Sequence, residues 1–153
     1  MPPERAKPES LRAFLTRDHQ RLEVLFGHLL EEFGEGHRDG VREMWTRFDT
    51  GLSSHIKAEE RYLLPEFEKV QPAEAAALRA DHAFFRKTLA ELGLGVDLDM
   101  VSLDVAEEFV KALRAHARKE DDLLYRWAQA EIGEAGQIRI ERELGDGDPA
   151  SRG

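Results

Sequence analysis

Proline and glycine fall into a few clusters in this 153-residue chain, and the long stretches between them carry apolar residues at helical spacing. Pro8-Glu9-Ser10 opens a helix over about 10–33, which Gly34-Glu35-Gly36 closes. A second helix runs from about Asp39 to Leu64, and Pro65 allows at most a kinked continuation to Val70. Pro72-Ala73-Glu74 starts a third, which ends at Gly93-Leu94-Gly95. The fourth spans about Ser102 to Ile132. Gly133 and Gly136 then interrupt the chain, and Gln137–Leu144 is amphipathic enough for a short fifth helix. No stretch alternates as a strand does. Four long helices on short loops predict an all-α, up-down-up-down four-helix bundle. The expected organisation is a disordered lead-in at 1–9, the bundle at 10–132, and a short helix with a flexible tail at 133–153.

Composition removes several classes of function. Cysteine is absent, so thiol catalysis, iron–sulfur clusters and Cys-type zinc sites are excluded. The net charge of −9, with no basic patch, argues against nucleic acid or an anionic membrane as a partner. No apolar run reaches the roughly 18 residues that would span a bilayer. The N-terminus lacks the apolar core of a signal peptide, so a cytoplasmic protein is expected. Neither a Ser-His-Asp pattern nor a phosphate-binding glycine loop is present.

The chain repeats itself. Asp18-His19 is followed by His55 with Glu59 four residues on, and Asp81-His82 is followed by His116 with Glu120 four residues on. At about 100° per residue, His19 falls among Leu15, Leu22, Phe26 and Leu30, and the other five residues fall on or beside the apolar stripes of their helices. Buried imidazoles and carboxylates need protons, ion pairs or a metal. Residues four apart stack on one helix face, so each His-x-x-x-Glu directs a nitrogen and an oxygen to neighbouring points. Sharing four histidines between two ions, with both carboxylates bridging, gives each ion two nitrogens and two oxygens. A solvent-derived bridge would add a fifth ligand and leave one octahedral position open. Such a donor set suits iron, with manganese or zinc as alternatives.

On these residues (His19, His55-x-x-x-Glu59, His82 and His116-x-x-x-Glu120) the chain resembles the hemerythrin-like, His-His-Glu cation-binding family over about residues 10–130. Ferritin-like di-iron bundles use Glu-x-x-His instead, a spacing that does not organise this sequence. The resemblance implies a non-haem di-iron centre that binds or reacts with dioxygen, nitric oxide or peroxide. It also implies a departure. Oxygen-carrying hemerythrins have a further histidine four residues after the one in the third helix, and here that position is Arg86. The change argues against reversible oxygen carriage and for the family's nitric oxide, iron-release or peroxide chemistry.

Glu23 and Arg86 stand at equivalent positions, four residues after His19 and His82. Glu23 is expected near the ions, as an extra carboxylate ligand or an acceptor for a histidine N–H. Arg86 is expected to pair with Glu23 or Glu59, or to line a polar entrance. Helical phase favours Glu120 over Asp121, and Glu59 over Glu60. His28 and His37 are expected in solvent, Asp18 and Asp81 in hydrogen bonds or at the surface, and Tyr62 and Tyr125 in bundle packing. Two other readings fit the same residues: a metal- or redox-dependent sensor or interaction module, and an iron donor or store.

Overall fold

The computed structural model of the protein describes residues 9–147, and among these there is no strand. Ser10 caps α1 (Leu11–Gly34) by accepting a hydrogen bond from the Ala13 N–H, one of the donors that a helix start leaves without a partner. Gly36, at φ 77°, turns the chain into α2 (Arg38–Tyr62). Pro65 does not kink α2. The helix stops at Leu63, and Pro65 lies in the first turn of a new helix, α3 (Leu64–Val70), where its missing N–H is harmless. Pro72 opens α4 (Pro72–Asp97) in the same way. Ser102 caps α5 (Leu103–Lys119) through the Val105 N–H.

The helix expected over 102–132 is interrupted. After α5 the chain makes a π-helical turn over Glu120–Tyr125, then resumes as α6 (Arg126–Glu131). The fifth helix is longer than its amphipathic segment suggested: α7 covers Glu134–Gly147 and so includes Gly145, Asp146 and Gly147, which were expected in the tail. Ile140 and Leu144 drive this, because both are buried in the core rather than left on a terminal appendage. The lead-in at 1–8 and the residues from 148 onward lie outside the described residues.

Helix α1 packs on α2, α2 on α4, α4 on α5, and the α5–α6 stretch returns to α1, which closes the bundle. Its core consists of two apolar clusters. The upper one contains Leu22, Phe26, Phe48, Leu52, Ile56, Phe85 and Phe109. The lower one contains Leu11, Leu15, Leu63, Phe67, Leu78, Tyr125 and the two α7 residues. Helices α1, α2 and α4, and the stretch from α5 into α6, each pass from one cluster to the other. The residues at the crossing are polar, and they form the site.

Candidate metal centre

Helix α1 supplies His19 between Leu15 below and Leu22 above, and α2 supplies His55 and Glu59 between Leu52 and Leu63. Helix α4 supplies His82 between Leu78 and Phe85. His116 ends α5 and Glu120 opens the π turn. Five of the six are buried, and His19 keeps 16% of its side chain exposed.

Their donor atoms form two groups that share both carboxylates. His19, His55, Glu59 and Glu120 make one; Glu59, His82, His116 and Glu120 make the other, with the atoms of each group within 4.8 Å of one another. In the first group His19 Nε2 lies 2.7 Å from His55 Nε2 and 3.1 Å from Glu120 Oε1. In the second, His116 Nε2 lies 2.9 Å from Glu120 Oε1, and His82 Nε2 lies 3.6 Å from Glu120 Oε2. Glu59 Oε1 is 2.8 Å from His55 Nε2, an ion-pair contact without the angle of a hydrogen bond. Both Glu59 oxygens, Glu120 Oε2 and His82 Nε2 are buried with no hydrogen bond. Orphaned polar atoms at one point of a core are strongly unfavourable in an apolar protein interior. A buried cluster of nitrogen and oxygen donors that leaves these atoms unpaired suits a cation such as iron, manganese or zinc.

The hemerythrin HHE cation-binding domain matches residues 10–128 of the chain. The chain belongs to that family. No curated protein and no solved structure matches it. The protein is therefore a metal-binding helical domain of the hemerythrin type.

The candidate ligands are held from behind. Asp18 Oδ2 lies 2.7 Å from His55 Nδ1, and Asp81 Oδ2 lies 2.8 Å from His116 Nδ1. In each hairpin the aspartate preceding one histidine thus reaches across to the histidine on the facing helix. A carboxylate there accepts a hydrogen bond from the Nδ1–H and turns Nε2 toward the centre. Glu60 does the same for His82 at 3.2 Å, and Arg86 in turn pairs with Glu60. Lys119 lies 2.7 Å from Asp81.

The charges follow from these contacts. Burial opposes ionisation of Asp18, but His55 and Arg21 outweigh it and hold the carboxyl down at about 2. Burial likewise opposes protonation of His55, yet Glu59 and Asp18 raise it to about 10. His19 is pushed down to about 3 by burial and by the neighbouring His55 charge. Burial lowers His116 to about 4, although Glu59 and Asp81 pull the other way. Without metal, His55 pairs as a cation with Glu59, and the His19 and His116 rings are held neutral.

Glu23 and Arg86 have partners other than those expected, whereas Asp121, His28 and His37 stand where they were expected. Glu23 contributes to neither group. Arg114, on the same seam between α1 and α5, captures its carboxylate and leaves Glu23 at the rim of a cavity beside the site. Arg86 pairs with Glu60 rather than with Glu23 or Glu59. Asp121 turns outward to Arg12, at 2.8 Å. His28 is exposed, and exposed His37 pairs with Glu32 and Glu35.

Tyr125 packs in the lower cluster as expected, but sequence reasoning missed that its hydroxyl reaches the centre. On an ideal α-helix it would stand about 140° from Glu120. The π turn inserts one extra residue, so residues five apart stack, and its hydroxyl oxygen comes within 3.3 Å of Glu120 Oε1. The same oxygen lies 2.7 Å from His19 Nε2 and 2.9 Å from His55 Nε2. Nothing in the sequence marks a π turn here. The paired aspartates of Asp18-His19 and Asp81-His82, in contrast, were a visible signal for the carboxylates behind the histidines.

Proposed function

We propose that the protein is a non-haem di-iron protein that binds or reacts with a small ligand: dioxygen, nitric oxide or peroxide. One observation carries this reading: two groups of four ligand atoms that have Glu59 and Glu120 in common. His19 and His55 would hold one ion, and His82 and His116 the other. Bound iron would supply redox chemistry and Lewis acidity there.

The chain's own residues define what can approach. A cavity of about 40 Å³ lies against the ligands, walled by Leu22, Leu52, Ile56, Phe85 and Leu113. Drug-sized ligands need roughly 300 Å³ or more. A diatomic molecule or peroxide suits the smaller space. Asp18, Asp81 and Glu60 fix three imidazoles in the orientation that presents Nε2 inward. Arg86 offers no ring nitrogen, and its engagement with Glu60 ties it into the support of His82.

Elemental analysis after expression with iron tests the reading, followed by titration with dioxygen, nitric oxide and peroxide. About two irons per chain are expected from two ligand groups with shared carboxylates, with a spectral response to at least one of the three molecules. Folded protein that refuses iron, manganese and zinc would overturn it.

A further inference from the structure

The Tyr125 hydroxyl is a polar group at the centre that the two-ion reading leaves without a role. The side chain is 0% exposed, and its oxygen is aimed into the first ligand group rather than toward solvent. Its neighbours there are His19 Nε2, His55 Nε2 and Glu120 Oε1, at 2.7, 2.9 and 3.3 Å. All three are atoms that would bind metal. We propose that Tyr125 is itself a ligand at the His19/His55 position, so that the two metal positions are chemically unequal. The inference rests on the two-ion reading above.

Three observations support it. The first is spacing. Donor atoms on neighbouring vertices of an octahedral ion, with bonds of about 2.1 Å, stand about 3 Å apart. The phenol oxygen keeps that separation from three donors at once. A tyrosine that only packs needs one acceptor for its one O–H, and this oxygen has three polar neighbours converging on it. The second is the backbone. The π turn over Glu120–Tyr125 swings the ring inward, and π turns inserted in α-helices recur at functional sites. The third is the direction of approach. Tyr125 belongs to the lower apolar cluster, whereas the small cavity is walled by residues of the upper one. A phenolate bond from below would leave the cavity side of the centre free for the small ligand.

The second group has no equivalent. Tyr62, the chain's other tyrosine, places its hydroxyl 3.2 Å from Glu143 on α7. As the oxygen–metal bond forms, the phenol proton leaves to solvent, as ligand protons do when a metal binds. No electron is transferred in that step.

The test uses ferric iron as the probe, on the wild-type protein, Tyr125→Phe and Tyr62→Phe. Iron per chain, visible absorption and resonance Raman spectra are recorded for each. Ferric phenolate gives a visible charge-transfer band whose excitation enhances the ring vibrations of the bound tyrosine. The wild-type and Tyr62→Phe proteins are expected to show both signals, and Tyr125→Phe to lose both while still binding iron. Growth with ring-deuterated tyrosine gives a check that needs no substitution: the enhanced vibrations of the wild-type protein should shift. Iron-loaded wild-type protein without phenolate vibrations, or Tyr125→Phe that keeps them, would overturn the proposal and leave the two-ion reading intact. Failure of the wild-type protein to take up iron would overturn both.

Discussion

The hairpins α1–α2 and α4–α5 carry the same pattern of residues and build unequal halves of one centre. Each gives a histidine from its first helix and His-x-x-x-Glu from its second, and in each an aspartate crosses to the histidine opposite. The surroundings then diverge. Asp18 is 11% exposed, whereas Asp81 is 30% exposed and shared with Lys119. His19 is partly open to solvent, but its counterpart His82 is fully enclosed and backed by Glu60 and Arg86. Tyr125 reaches the histidines of the first group alone. A repeated sequence thus fixes which donor side chains are present, and the residues around each copy make the two halves chemically different.

The largest effect should come from a residue common to both halves. Glu120→Gln removes a carboxylate that both groups use, and the iron content should fall below half of the wild-type value. Loss of one ion only, read by elemental analysis, would mean that the carboxylate serves a single half. The next effect compares the halves directly. Asp18→Asn and Asp81→Asn each replace the charged acceptor behind one histidine by a neutral amide oxygen, and such changes lower metal affinity about 10–100-fold. The drop should be larger for Asp18, the less exposed and more strongly held carboxylate; equal losses in a competition titration would erase that distinction.

A smaller effect concerns the chelated protein. His19 and His116 stay neutral in the fold down to about 3 and about 4, whereas in the unfolded chain they take up protons near the ordinary 6.5. Stability should therefore fall as pH drops below about 6.5. His55, raised to about 10, has the opposite sign: its contribution is complete below 6.5 and is lost as pH rises toward 10. The melting temperature should peak near neutral pH, with the alkaline decline absent from His55→Gln. A flat profile across pH 5 to 9 would argue against charge asymmetry within the first hairpin. The smallest effect is expected from Glu23→Gln. The Glu23–Arg114 ion pair is half-exposed, so stability should change by less than about 1 kcal/mol, with metal content unaltered. A marked loss of iron would return Glu23 to the ligand set.

The helices, their order and the inward placement of six polar residues were legible in the sequence. Capping serines, helix-opening prolines and apolar spacing are local signals, and each acts within a few residues of where it is written. The repeat carried the candidate ligands because His19, His55, Glu59, His82, His116 and Glu120 share the phase of their own apolar stripes. The extent of α7 was harder to read, since α7 packs on α2 and Ile140 and Leu144 share a cluster with Ala58 and Leu63, about eighty residues earlier in the chain.

By itself, then, the sequence determined an all-α bundle with a polar layer facing inward and a donor set suited to a cation. The tertiary structure alone decided which carboxylate stands behind which histidine, that Arg114 would take Glu23, and that a π turn would bring Tyr125 to the centre. Periodicity along one helix follows from backbone geometry. Pairing between helices depends instead on their separation and relative rotation, and one inserted residue rotates everything beyond it by about 100°.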